Sequence, residues 1–286
     1  METLSSITAV RDRIRQWRCS GDVVAMVPTM GNLHAGHLRL VEAARSHGSK
    51  VVVSIFVNPL QFGEKEDLSA YPRTIDADLS KLSQYSVDLA FLPEAAEIYP
   101  RSIEHTTRVI VPDLSDILCG ASRPGHFVGV ATVVNLLFNV VQPDVAVFGE
   151  KDYQQLLVIR RMVKDLHLPV EVLGVATVRE PSGLALSSRN NYLSEGERRE
   201  AGRMYQVLCE AGDMIYKNSD DYSTIERVSR EKLEAAGFRP DYFTICRAAD
   251  LRAPTLEDRE LVIMSAAWMG RARLIDNVRV SLKRHG

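Results

Sequence analysis

No C-x-x-C pair occurs in this chain of 286 residues, and its four cysteines, Cys19, Cys119, Cys209 and Cys246, are widely scattered. That spacing argues against a cysteine zinc site or a disulfide framework and fits four free thiols in a reducing cytoplasm. No neighbouring residue would activate a thiolate, so a cysteine nucleophile is disfavoured. An excess of charge of one sign is also missing. The formal net charge of −2 provides no global field to draw the chain to RNA, DNA or an anionic membrane, and none of these is an expected partner. The opening "METLSSITAVRDRIRQWRCSGD" alternates apolar and charged residues at helical spacing. Lacking a continuous apolar core, it reads as neither signal peptide nor membrane span. Internal repeats and low-complexity tracts are absent as well.

What is present is an ordinary globular composition, 45% hydrophobic and 25% charged, long enough for roughly two domains. Short β-branched runs alternate with helical patterns. "VVAMVPT" reads as a strand, "GHLRLVEAARSHG" as a helix closed by Gly48, and "KVVVSIFVNP" as the next strand. A helix at "IDADLSKLSQYS", a strand at "VDLAFLP" and an apolar buried helix at "GVATVVNLLFNVVQ" follow. The strand "DVAVFGE", the helix "DYQQLLVIRRMVKDLH" and the strand "VEVLGVATV" complete the series. Strands without polar alternation, separated by helices, imply a parallel sheet covered on both faces, a doubly wound Rossmann-like α/β domain over residues 1–184. Two polar helices near 194–218 and 222–237 then precede "DYFTICRA", "LVIMSAAWM" and "ARLIDNVRV", which implies a smaller α+β domain over residues 185–286.

Open α/β sheets bind ligands beyond the carboxyl ends of their strands. Those ends read Pro28-Thr29-Met30-Gly31, Asn58-Pro59-Leu60-Gln61, Pro93-Glu94, Gly149-Glu150-Lys151-Asp152 and Arg179-Glu180. Most can bind phosphate, sugar hydroxyls or a carboxylate. The stretch "VPTMGNLHAGHLRL" has the glycine spacing of a P-loop in Gly31 and Gly36, but His37 replaces the lysine and Leu38 the hydroxyl residue, so a P-loop NTPase is not indicated. What remains is a helix N-terminus whose free N–H groups favour an anion, flanked by His34 and His37 as phosphate donors. The alternative is that His34 only caps the helix while His37 faces solvent.

"PTMGNLHAGHLRL" resembles the signature of the nucleotidylyltransferase superfamily. Together with "SIFVNPLQF", "YPRT", "GASRPGHFVGV", "FGEKDYQQLLVIRRMV", "GLALSSRNNYL" and "AAWMGRARLIDN", it resembles the pantoate–β-alanine ligase family. The resemblance implies ATP-dependent joining of pantoate to β-alanine with Mg²⁺, through a pantoyl adenylate, in a cytoplasmic homodimer. It assigns catalysis to His34, His37, Lys151 and Arg189. It assigns ATP binding to Met30, Gly31, Asn32, Leu33, His34, Ala35, Gly36, His37, Gly149, Glu150, Lys151, Asp152, Val178, Leu186, Ser187, Ser188 and Arg189. Gln61 and Gln155 are implied for pantoate, and Gln61 also for β-alanine, with Met30, Phe62 and Val134 as an apolar wall. Protein ligands for the metal are not implied.

Each assignment has a structural competitor. Lys151 alone would be a surface lysine, Asp152 an N-cap, "LSSR" a serine-rich turn, and Gln155 part of a solvated helix face. Arg123 and His126 of "RPGHF" are expected in a loop over the site, and Tyr71 and Arg73 in a structural role. Leu136, Ala176 and Ser182 depart from the family pattern, where lysine, proline and aspartate are usual. A cofactor adenylyltransferase would explain the histidines and "SSR" but not the paired Gln61 and Gln155. An aminoacyl-tRNA synthetase would need a basic RNA-binding appendage. A nucleotide-binding module without activity would have Leu136 as its only support.

Overall fold

A computed structural model describes residues 1–63, 68, 71–217 and 221–282. The first compact unit comprises residues 1–150 and 155–176, the second residues 151–154 and 177–286. The sequence reading put the boundary at 184/185. The hairpin that precedes "LSSR" and the four residues from Lys151 to Gln154 instead count with the second unit.

In the first unit, β1 (Glu2–Leu4), α1 (Ile7–Cys19), β2 (Val24–Thr29), α2 (Ala35–His47), β3 (Lys50–Ile55) and α3 (Ile75–Gln84) follow one another. They lead to β4 (Leu89–Phe91), α4 (Ala95–Ile98), α5 (Cys119–Ser122), α6 (His126–Val141), β5 (Val145–Gly149), α7 (Tyr153–Asp165) and β6 (Glu171–Val175). The six strands form one sheet in the order β1-β4-β3-β2-β5-β6, and every pairing is parallel. Runs such as Val51-Val52-Val53 are fully buried, as expected for strands covered on both faces. The doubly wound parallel sheet read from the sequence is thus present. β1 was not anticipated. It pairs through only three residues, Glu2, Thr3 and Leu4, too few for a periodic signal. Gly48 does close α2, and a Cβ there would lie 2.7 Å from that of Ala25.

The second unit holds α8 (Glu195–Ala201), α9 (Arg203–Tyr216), α10 (Tyr222–Ala235), β7 (Arg239–Arg247), β8 (Glu260–Met269) and β9 (Ala272–Ser281). The strands form an antiparallel sheet, β7-β8-β9. Val207, Leu208 and Ala211 of α9 and Ile225 and Leu233 of α10 share a core with Phe243, Ile263 and Val280 of the sheet. The helix expected over 194–218 is two helices, and its last residue, Asn218, lies outside the described residues. Gly202 stands at the break, where a Cβ would lie 2.3 Å from the Ser182 carbonyl oxygen. Among the described residues no helix is long and apolar enough to cross a membrane.

Candidate active site

The chain winds from β2 through β3 to β4 on one side of the sheet and resumes at β5 on the other side of β2. The segments leaving β2 and β5 therefore flank the point where strand order reverses, the usual crevice of such sheets. "MGNLHAGH" leaves β2, and Gly149-Glu150 ends and follows β5.

The first of these loops is pinned from beneath. Asp78 of α3, fully buried, accepts the Asn32 N–H through Oδ2 and the Leu33 N–H through Oδ1, both at 2.8 Å. The Lys81 ammonium donates to the Leu33 carbonyl at 2.6 Å. Gly31 sits at φ +81°, a conformation L side chains rarely adopt, and a Cβ there would crowd Ile55 Cγ2 at 3.0 Å and Asp78 Oδ2 at 3.1 Å. Leu33 packs its side chain into the core, so its part is to anchor the loop.

His34 is the N-cap of α2. Its Nδ1 accepts the Gly36 N–H at 3.1 Å, and Nδ1 of His37 accepts the His34 N–H at 3.3 Å. Of the N–H groups expected to be free at the helix start, that of Gly36 is taken by this capping box. The N–H groups of Asn32, Leu33, His34 and Gly36 all have internal acceptors. The box also fixes the imidazoles chemically. A ring whose Nδ1 accepts a hydrogen bond carries its proton on Nε2, so both neutral rings are Nε2–H donors. Their centroids lie 4.1 Å apart. His34 does cap the helix, and the cap itself makes the pair of donors.

Gln61 ends the turn Pro59–Gln61 after β3 and is buried. Its Oε1 accepts from Asn58 Nδ2 at 3.0 Å, and its Nε2 lies 3.0 Å from Met30 Sδ. The Asn58 amide also donates to the Gly129 carbonyl, while its Oδ1 accepts the Tyr99 hydroxyl at 2.6 Å. Burial pushes the Tyr99 phenol up, so it remains a donor. A Cβ on Gly129 would lie 2.3 Å from the Leu60 oxygen, and this contact seats α6 against the Gln61 turn.

His126 is not in a loop, as the sequence reading had it. It is the first residue of α6, buried, with Nδ1 donating to the Gln61 carbonyl at 2.8 Å and Nε2 facing the Arg123 guanidinium at 2.9 Å. Gln155 lies half-buried in the first turn of α7. Phe62 packs edge-on against Tyr71, and Val134 is buried in α6.

In the second unit, Lys151 and Asp152 lie in a 3-10 turn, Glu150–Asp152, with 3.6 Å between ammonium and carboxylate. Val178 and Leu186 face each other across a hairpin, the Leu186 N–H donating to the Val178 carbonyl. The hairpin leads into Ser187, whose Oγ accepts the Arg189 N–H and caps the turn Ser188–Tyr192. The turn proposed as the bland alternative is real, and it holds Arg189 exposed beside Ser188. Lys151, Ser187 and Arg189 line one cavity of about 10 Å³, with Asn190 and Asp276, room for about one water. Lys151 and the Ser187–Arg189 loop thus border the same small space.

Sequence reasoning missed several of these residues. Asp78 reads as an ordinary acid in the first turn of a helix, and nothing in "IDADL" shows that it is buried. Lys81, Asp276 and Asn277 were passed over, and Asn58 and Arg179, though noted at strand ends, were not given their partners, because all of these roles depend on long-range contacts. No disulfide joins any of the four cysteines, and burial raises the Cys246 thiol away from the reactive thiolate form.

The model of a family described as pantoate-beta-alanine ligase matches residues 2–279. Pantothenate synthetase of Idiomarina loihiensis is 58% identical over 94% of this chain and 95% of that protein. The enzyme of Nitrosococcus oceani is 54% identical over 99% of both. Among solved structures, pantothenate synthetase from Thermus thermophilus is 46% identical with a TM-score of 0.90, covering 97% of this chain and 99% of its own. Pantoate-beta-alanine ligase from Francisella tularensis, complexed with beta-gamma ATP and beta-alanine, is 34% identical with a TM-score of 0.80, covering 97% of each chain.

Proposed function

Because this chain belongs to the pantoate–β-alanine ligase family, we propose for it that family's reaction in residue detail. The enzyme condenses pantoate with β-alanine at the expense of ATP, giving pantothenate, AMP and diphosphate. The observation that carries this is similarity over the whole chain, both domains included, at more than half identity.

In the first half-reaction the pantoate carboxylate attacks the α-phosphate. A carboxylate is already ionised at pH 7, so no general base is required. The barrier comes from repulsion between anions and from charge accumulating on the departing diphosphate. Preorganised donors are what such a step needs. His34 and His37 supply Nε2–H donors. Lys151, Arg189, Ser187 and Ser188 supply an ammonium, a guanidinium and hydroxyls, and Asp152 with the Gly149 backbone receives the ribose hydroxyls. Met30, Gly31, Asn32, Ala35 and Gly36 shape the nucleotide side of the loop, with Glu150, Val178 and Leu186 beside the adenosine. Gln61 and Gln155 hold pantoate through amides that leave its charge intact, and Gln61 also contacts β-alanine. The amine of β-alanine then attacks the acyl carbonyl, AMP leaves, and an imidazole relays the ammonium proton.

The described residues contain no cluster of three His, Cys, Asp or Glu arranged for a metal ion. The place proposed for Mg²⁺ is beside the triphosphate, whose oxygens would be its ligands. Bound there it would neutralise phosphate charge. The enzyme acts in the cytoplasm as a homodimer, and a monomeric mass in sedimentation would contradict the dimer.

Exchange of labelled pyrophosphate into ATP tests the reaction. It is expected to depend on pantoate and to proceed without β-alanine, while adding β-alanine yields pantothenate and AMP. Exchange that requires a phosphoester substrate instead would indicate a nucleotidyltransferase. Absence of exchange would indicate a binding module.

A further inference from the structure

Lys151 and the Ser187–Arg189 loop are separated by more than thirty residues of chain, and something must set their spacing. Strand β9 reaches both. Asn277 Nδ2 donates to the Lys151 carbonyl at 3.0 Å. Its neighbour Asp276 receives a bidentate pair from Arg179, at 2.5 and 2.9 Å. The second Asp276 oxygen, Oδ1, also accepts the Asn277 N–H at 2.8 Å, which ties the two residues into one unit.

Arg179 belongs to the hairpin that presents the loop. It is paired with Ala185 across the hairpin, donates to the Gly183 carbonyl at 3.1 Å, and lies 3.6 Å over the Tyr205 ring. Asn190 Nδ2 donates to the Ala185 carbonyl at 3.0 Å and fastens the far side of the same loop. Asp276 and Asn277 are 5% and 8% exposed, so neither interaction is diluted by solvent. A planar guanidinium gripping both carboxylate oxygens leaves little rotational freedom.

Asp276 also lines the cavity that Lys151, Ser187 and Arg189 share. An unpaired carboxylate there would repel phosphate oxygens, so Arg179 both holds the hairpin and neutralises the wall.

We propose that Asp276 and Asn277 are positioning residues for adenylation. Asn277 holds the backbone of Lys151, Asp276 holds the Ser187–Arg189 hairpin through Arg179, and β9 thereby sets the distance between the two phosphate-contacting loops. This rests on the reading that Lys151 and Ser187–Arg189 serve ATP.

The test uses Asn277→Ala and the isosteric Asn277→Asp, which at neutral pH keeps the shape but cannot donate. Each is compared with Lys151→Ala in the full-length enzyme. Pantoate-dependent pyrophosphate exchange is expected to fall about 10-fold to 10²-fold in both Asn277 variants, the scale of misplacing a catalytic group by about 1 Å. The KM for pantoate is expected to stay within about 2-fold and the thermal midpoint close to that of the parent. Should Asn277→Ala fail to fold, Arg179→Lys carries the same test, since it keeps the charge and loses the bidentate grip. Exchange near the parental rate in the Asn277 variants, or equal loss toward ATP and pantoate, overturns the proposal. Normal ATP use by Lys151→Ala would instead remove the reading it rests on.

Discussion

At the scale of single residues, the chemistry of the first loop is set by which nitrogen carries a proton. Because Nδ1 of His34 and of His37 each accept a backbone N–H, both neutral rings carry Nε2–H, the donor proposed for the phosphates. Losing one such donor costs about 10²–10³ in turnover where charge develops. His37→Ala is therefore expected to lower kcat by that factor in steady-state assays while leaving the circular dichroism spectrum unchanged. Near-normal kcat would mean that His37 serves the cap alone. The pair of histidines was legible in the sequence because its spacing at a strand-to-helix junction is local. The tautomer was not, since it depends on two hydrogen bonds that only the folded loop makes.

At the scale of elements, a helix distant in sequence holds the loop. The Asp78 oxygens each face an N–H donor, and Oδ2 also accepts the Thr74 hydroxyl at 3.1 Å. Asp78→Asn must turn an NH₂ group toward one of those donors whichever way the amide is flipped. A buried hydrogen bond lost in this way costs about 1–3 kcal/mol. Urea denaturation is expected to show that loss together with a raised KM for ATP, and an unchanged midpoint would contradict the anchoring role.

α10 offers a pH-dependent counterpart. Its N-cap Asp221 is held down to about 2, from an ordinary 3.8, by the Thr224 side chain first, then by the Ser223 hydroxyl and the Thr224 N–H. A carboxylate lowered on folding contributes stability above its unfolded value and loses it as pH falls through the folded one. The stability deficit of Asp221→Ala should accordingly be present at neutral pH and vanish as pH falls from about 4 toward 2. A constant deficit across that window would show that the cap acts through packing alone. Continuous elements such as α6 and β8 were legible from their apolar patterns. β1 was too short to register, and the break at Gly202 depends on the close approach of the Ser182 backbone.

At the scale of the whole molecule, a parallel sheet whose strand order reverses beside β2 and a second unit built on β7-β8-β9 each carry part of the proposed reaction. The parallel sheet was legible because unbroken apolar strands separated by helices admit few arrangements, and the second unit because two helices followed by three strands imply an α+β fold. The unit boundary was less so, since the hairpin before Ser187 carries no linker composition to mark it. The account's central claim is that the imidazoles and the Lys151 ammonium act on phosphate charge in adenylation and contribute less to amide formation. The direct measurement separates the half-reactions in His37→Ala and Lys151→Ala. Pyrophosphate exchange is followed in one assay, and conversion of preformed pantoyl adenylate by β-alanine in the other. Exchange is predicted to fall about 10²–10³-fold while amide formation falls about 10-fold at most. Equal losses in both half-reactions, or intact exchange, would contradict it.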